Sequence, residues 1–203
     1  MNINIKAIID RARDIILKPG MTWEIIKGET TNLKQLYLNY AVPMAAIPSL
    51  CGFIGLTLFG VHLQEGVVAR APFFMALLGA IIEYAFTLAS IFITAYLVNY
   101  LAQYFESKSD LISAAKLLIY SLTPIWVVGI FALYPSFAFL SIVGLYAGYI
   151  LVVGLPVVLG TPTGKVPWFT ATIIVSWILI SFIVNLIVVG LIYGPMYMRM
   201  LSQ

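Results

Sequence analysis

Apolar residues dominate five stretches of the chain, running over residues 36–60, 73–101, 116–134, 136–160 and 168–194. Each reaches the roughly 20 residues that a helix needs to cross a hydrocarbon core about 30 Å thick. The pattern predicts five transmembrane helices. The third and fourth are parted only by Tyr134-Pro135-Ser136. Proline stops a helix, and the combined length is about twice one crossing, so a tight helical hairpin is expected there.

A different periodicity precedes these stretches. Between residues 3 and 17, Ile5, Ile8, Ile9, Ala12, Ile15 and Ile16 fall on one helical face, and Lys6, Asp10, Arg11, Arg13 and Asp14 on the other. A helix this short and charged does not span; it lies on the membrane surface or docks against another chain. Pro19-Gly20 ends it, and Thr22 is placed to cap a second short turn over residues 23–27. Trp23 has the amphipathic ring found at headgroup level. The chain thus divides into a cytoplasmic or interfacial segment, residues 1–35, and a five-helix transmembrane unit, residues 36–203. Anchoring of the N-terminus is preferred to partner docking as the role of the first segment.

Composition agrees with the pattern. Hydrophobic residues make up 62% of the chain and charged residues 9%, against roughly 25% charged in soluble domains. That deficit cannot cover a water-facing surface. The fold class expected is all-α integral membrane, five transmembrane helices with an N-terminal amphipathic interfacial helix.

Of the 11 Lys and Arg residues, Lys6, Arg11, Arg13, Lys18, Lys27 and Lys34 precede the first span. Lys108, Lys116 and Lys165 join them on one side if the N-terminus is inside, leaving Arg70 and Arg199 opposite. The positive-inside bias therefore sets a cytoplasmic N-terminus and, after five crossings, an external C-terminus. The basic residues are interleaved with Asp10, Asp14, Glu24 and Glu29, which suits a solvated helical face and gives no nucleic-acid patch. One cysteine, Cys51, excludes an internal disulfide, and a single His62 makes no zinc site with it. No secretory signal peptide is visible.

Prolines recur inside the spans at Pro43, Pro48, Pro124 and Pro156. Each removes a backbone donor and crowds the carbonyl four residues earlier, so these are candidate kinks that need partners from neighbouring helices. Gly144 with Gly148, Gly190 with Gly194, and Ala85 with Ala89 have the small-xxx-small spacing of close helix pairs. Packing within the chain explains them as well as dimerisation does.

Glu83 is the one acidic residue inside a span. It lies about 15 Å from the outer start of the second helix, near the midplane, and is expected to face the bundle interior. Thr123, Tyr146 and Asn185 fall at matching depth on the other helices, with Ser49 and Cys51 on the first. Together they form a candidate intramembrane polar site. Two readings stand side by side: a proton or cation site, or a protonated carboxyl held by hydrogen bonds, the second preferred. Lys116 near the cytoplasmic end of the third helix is expected to snorkel to the headgroups. With Lys108 it is a candidate contact for anionic lipid headgroups.

No G-x-S-x-G, P-loop, Rossmann glycine set or H-E-x-x-H occurs. Gly160-Thr-Pro-Thr-Gly164-Lys165 lacks the spacing and preceding strand of a phosphate loop. No enzyme activity, cofactor or metal is expected.

Several marks occur in order: Leu17-Lys18-Pro19, Thr22-Trp23-Glu24, Ala45-Ala46-Ile47-Pro48, Ala115-Lys116-Leu117-Leu118-Ile119-Tyr120-Ser121, Thr123-Pro124, Ala132-Leu133-Tyr134-Pro135, Gly144-Leu145-Tyr146 and Gly154-Leu155-Pro156. Over about residues 15–195 the chain resembles the Yip domain family, in particular its prokaryotic inner-membrane branch. The resemblance implies a five-helix membrane domain with a cytoplasmic N-terminus. Eukaryotic members interact with Rab-type small GTPases, a role that does not carry over to this branch; Glu83 is outside the family's marks.

The leading expectation is a non-enzymatic membrane protein that organises proteins or lipids as a homo-oligomer, with membrane lipids and a cytoplasmic protein as partners. The alternative is a small permease or ion channel with a polar midplane site around Glu83. A third option is lipid handling through the Lys116 region.

Overall fold

The computed structural model describes residues 4–64, 67–108 and 110–192. Helix α1 (Ile5–Leu17) is capped by Asn4, whose side chain accepts from the Ala7 amide at 3.1 Å. Helix α2 (Pro19–Gly28) starts at Pro19, where the missing N–H is no loss. Thr22 therefore does not cap this helix; it sits inside it, and its hydroxyl donates to the Lys18 carbonyl at 2.9 Å.

Among the described residues five helical runs are long and apolar enough to cross a bilayer: Leu33–Phe59, Phe73–Phe105, Leu111–Leu133, Phe139–Val158 and Val166–Val184. The protein is an all-α membrane protein. The first run, α3, begins three residues before its apolar core, capped by Asn32. It contains π-helical turns at Tyr37–Ala41 and Gly55–Phe59. The first immediately precedes Val42-Pro43, where the extra residue per turn absorbs the proline ring. The second run is α4 (Phe73–Leu101), extended by a 3-10 turn, Ala102–Phe105.

The third run is α5 (Leu111–Ser121) followed by α6 (Thr123–Val128), with a break at Leu122 ahead of Pro124. Helix α5 starts at Leu111, capped by Asp110. Lys116 accordingly lies inside the helix and not at its end. The hairpin at Tyr134-Pro135-Ser136 is flanked by 3-10 runs, Gly129–Leu133 and Pro135–Leu145. Only Tyr146–Val158, α7, of the fourth run is α-helical. Pro156 lies within α7 and Pro48 within α3, both inside uninterrupted helix. The fifth run belongs to α8 (Val166–Ile192).

Between α3 and α4 a small antiparallel hairpin, β1 (Val61–Gln64) with β2 (Val67–Ala69), was not foreseen. The expected outer C-terminus, with Gly194 and Arg199, lies outside the described residues.

The loops that the charge pattern assigns to one side do meet. Lys108 N–H donates to the Leu159 carbonyl at 2.9 Å, the Ser107 and Thr161 hydroxyls share a 2.8 Å hydrogen bond, and Lys165 pairs with Glu106 at 2.7 Å. Phe105 stacks on Phe169 beside them, ring centroids 4.4 Å apart. At the other end Phe59 packs on Tyr134.

The apolar face of α1 splits in two. Ala12 and Ile15 are buried, whereas Ile5 and Ile9 stay exposed. Ile15, Trp23 and Ile26 belong to the same buried cluster as Ile91, Leu117, Ile150 and Phe169 from the spans. Helices α1 and α2 thus share one core with the bundle.

Helix backbones approach closely where glycine permits. A Cβ on Gly129 would lie 2.6 Å from Pro48 Cβ, and one on Gly55 would run into the Ala132 carbonyl oxygen. Gly144 packs against Ile125 and Gly148 against Ile174, so that pair serves contacts within the chain. Gly55→Ala should destabilise the detergent-solubilised protein by about 1–3 kcal/mol. Gly52→Ala, which meets nothing within 4 Å, should leave the thermal midpoint unchanged; equal midpoints for the two variants would contradict this packing.

Candidate functional site

The densest set of polar contacts is the seam where α1 and α2 meet α5 and α7. Lys116, on the second turn of α5, is 6% exposed. Its Nζ donates to the Ile26 carbonyl at 2.8 Å and the Glu29 carbonyl at 2.6 Å. These carbonyls end α2, whose C-cap is Glu29. A helix C-terminus has orphan acceptors and a partial negative charge, and the ammonium satisfies both. Lys116 therefore neither snorkels to the headgroups nor offers its charge to a lipid; both expectations are corrected. Lys108 is exposed, its side chain free of any hydrogen bond among the described residues, and the headgroup role remains open to it alone.

Beside Lys116, Arg11 of α1 forms an ion pair with the Glu29 carboxylate. The Arg11 guanidinium also stands over the Tyr120 ring, 5.7 Å from its centroid, a cation–π contact. The ring of Trp23 meets the same tyrosine edge-on at 6.3 Å, and Tyr40 lies against it at 4.7 Å. Tyr120 is thus the point where α1, α2, α3 and α5 converge.

Trp23 is fully buried, which corrects its expected headgroup position. Its Nε1–H donates to the Ile150 carbonyl of α7 at 3.0 Å. A Cβ on Gly154 would come within 2.6 Å of the indole. Glycine at 154 is therefore the notch that admits the ring. One turn before Ile150, at the start of α7, the Tyr146 hydroxyl donates to the Ile16 carbonyl at the end of α1 at 2.9 Å.

Of the four groups expected around a midplane site, Thr123 and Tyr146 are engaged elsewhere. Thr123 shares a 2.9 Å hydrogen bond with the Tyr40 hydroxyl, and Tyr146 serves α1. The Asn185 side chain lies outside the described residues. Glu83 is exposed, with no hydrogen bond or ion pair among the described residues, so the sealed, hydrogen-bonded carboxyl is not what the structure shows. Ser49 is buried and Cys51 half-buried on α3. Among the described residues no group of three His, Cys, Asp or Glu side chains could hold a metal ion.

Sequence reasoning missed one feature of α4. Polar side chains recur at Glu83, Thr87, Ser90 and Thr94, spaced four, three and four residues. That spacing is a helical stripe and was readable from the chain. Ser90 is 3% and Thr94 0% exposed. The hydroxyls of Thr94, of Ser121 on α5 and of Thr170 on α8 are buried without hydrogen-bond partners among the described residues.

A bundle of apolar spans with a helical pair clamped onto one end defines a polytopic α-helical membrane protein. Comparison with known families gives its kind: the Yip1 domain matches residues 13–187, and the chain belongs to that family. Inner membrane protein YohC of Escherichia coli strain K12 is 28% identical over 142 residues, covering 68% of this chain and 73% of that protein. YohC of Escherichia coli O6:H1 matches equally. Multi-pass placement in an inner membrane agrees with both. No solved structure matches the chain. Trp23, Lys116, Tyr120, Thr123, Tyr146 and Gly154, which carry the seam, all fall within the matched residues.

Removing Trp23 should cost about 3–5 kcal/mol, as for other buried aromatic truncations. Gly154→Ala should displace the indole and lower the thermal midpoint with it. Lys116→Met should free the end of α2 and speed limited proteolysis between residues 28 and 33. A Lys116→Met protein cleaved no faster than the parent would contradict the clamp.

Proposed function

We propose that the chain is a non-enzymatic membrane-organising scaffold whose cytoplasmic contact surface is the outward side of α1 and α2. The observation that carries this reading is the clamp. Lys116, Trp23 and Tyr146 hold the helical pair against the third and fourth spans, so the surface it presents outward has a set pose. On that surface Lys6, Arg13, Lys18 and Lys27 are exposed beside Ile5, Ile9, Met21 and Ile25. Cations bordering an apolar strip suit anionic headgroups and amphipathic protein segments alike. The exposed Ala85 and Ala89 on α4 support assembly with further copies of the chain.

A photo-crosslinking side chain at Met21 or Ile25 tests this in intact membranes. Scaffolding predicts discrete protein adducts, lost when Lys6, Arg13, Lys18 and Lys27 are all replaced by Glu with no change in thermal midpoint. Adducts to lipid only would reduce the segment to a membrane anchor.

A second reading, a small permease or ion channel around Glu83, is supported by the exposure of that carboxyl and by the polar stripe it heads. It predicts a flux across liposomes that Glu83→Gln abolishes.

A further inference from the structure

The stripe on α4 has a direction. At 3.6 residues per turn, Glu83, Thr87, Ser90 and Thr94 lie within about 60° of arc. Buried Ala76 and Val98 share that side, while exposed Leu78, Phe92 and Tyr96 line the opposite one. The stripe is thus turned into the bundle. Yet exposure falls along it: Glu83 is open, Thr87 half-buried, Ser90 buried and Thr94 sealed.

The break at Leu122 explains the opening. Helix α4 packs along α5, but once the chain passes Ser121 it leaves α4 and packs as α6 and the following 3-10 turn against α3. Towards Glu83 the inward side of α4 loses this one neighbour and keeps α3 and α8 beside it, which leaves a gap between them. Thr94 lies 11 residues from Phe105, and Ser121 ten from Leu111. Both are about 15 Å from the end where α4 connects to α5. The two orphaned hydroxyls therefore sit at one depth on two packed helices.

A buried hydroxyl without a partner costs free energy unless water or an ion supplies one. Here two such hydroxyls end a stripe headed by an exposed carboxylate. The geometry points to a water-filled groove on α4 that enters at Glu83, ends at Thr94 and Ser121, and admits small hydrated monovalent cations. One carboxylate with neutral hydroxyl oxygens matches a single positive charge. Divalent ions take more carboxylates than the groove holds, and anions are repelled at its mouth. This inference rests on the second reading above and names its ligand class.

Thiol labelling of the full chain in liposomes tests it. With Cys51 replaced by Ala, single cysteines are placed at Thr87, Ser90 and, on the lipid-facing side, Phe92. Cationic and anionic methanethiosulfonate reagents of similar size are applied to each face in turn. The groove predicts modification at positions 87 and 90 and none at 92. The cationic reagent should react about tenfold faster or more, as a single-sign cleft with low-dielectric walls concentrates counter-ions. Glu83→Gln should bring the two rates together. Cysteines at 87 and 90 as inert as the one at 92, or a rate ratio untouched by Glu83→Gln, would overturn the proposal. Sodium and proton flux in the same liposomes tests the permease reading separately. The labelling pattern without flux upholds the groove as a binding site and sinks the permease.

Discussion

The structure depends on one constraint: a cation buried at the end of a membrane bundle must be matched by acceptors. Lys116 meets it with two carbonyls at the C-terminus of α2, those of Ile26 and Glu29. The requirement runs both ways. Without α2 the ammonium would be a bare buried charge; without the ammonium the helix end would be a bare set of acceptors. Neither the N-terminal pair nor the inner half of α5 is therefore complete without the other. Trp23 in the Gly154 notch and Tyr146 on the Ile16 carbonyl extend the same mutual dependence to α7.

This coupling changes what the N-terminal segment is for. An amphipathic helix lying on lipid is free to slide and tilt. A helical pair bolted through Lys116 and Trp23 displays its outward residues at set positions relative to the spans. The polar side of α1 is likewise divided: Arg11 is spent on Glu29 and Tyr120, whereas Lys6 and Arg13 remain outside. The proposed scaffold role needs a surface of this kind, and Trp23, Lys116 and Tyr146, which fix its pose, fall inside the family-matched region.

Much of the fold was legible in the chain because a span must be long and apolar, and nothing else in the sequence satisfies both. The five crossings, the break at Pro135 and the amphipathic α1 follow from that. What covers a helix face is not written in its period. The apolar side of α1 reads the same whether lipid or protein meets it, so Trp23 was assigned to headgroups and Lys116 to snorkelling. Their partners are carbonyls and a glycine, which carry no signal in a linear reading. Depth alone placed Thr123 and Tyr146 beside Glu83, but azimuth sends the first to Tyr40 and the second to Ile16. The 3-10 run over Pro135–Leu145 was hidden because its composition is that of any span. The α4 stripe was the reverse case: its spacing was present in the sequence, and only its inward direction needed the structure.

The most direct test of the clamp is the reactivity of individual lysines in native membranes. A water-soluble amine-acylating reagent, read out residue by residue by mass spectrometry, should modify Lys6, Lys18, Lys27 and Lys108 while leaving Lys116 untouched until the protein is unfolded. Acylation of Lys116 at the rate of Lys108 in the folded protein would show that its ammonium reaches the headgroups, and that α2 is not held as described.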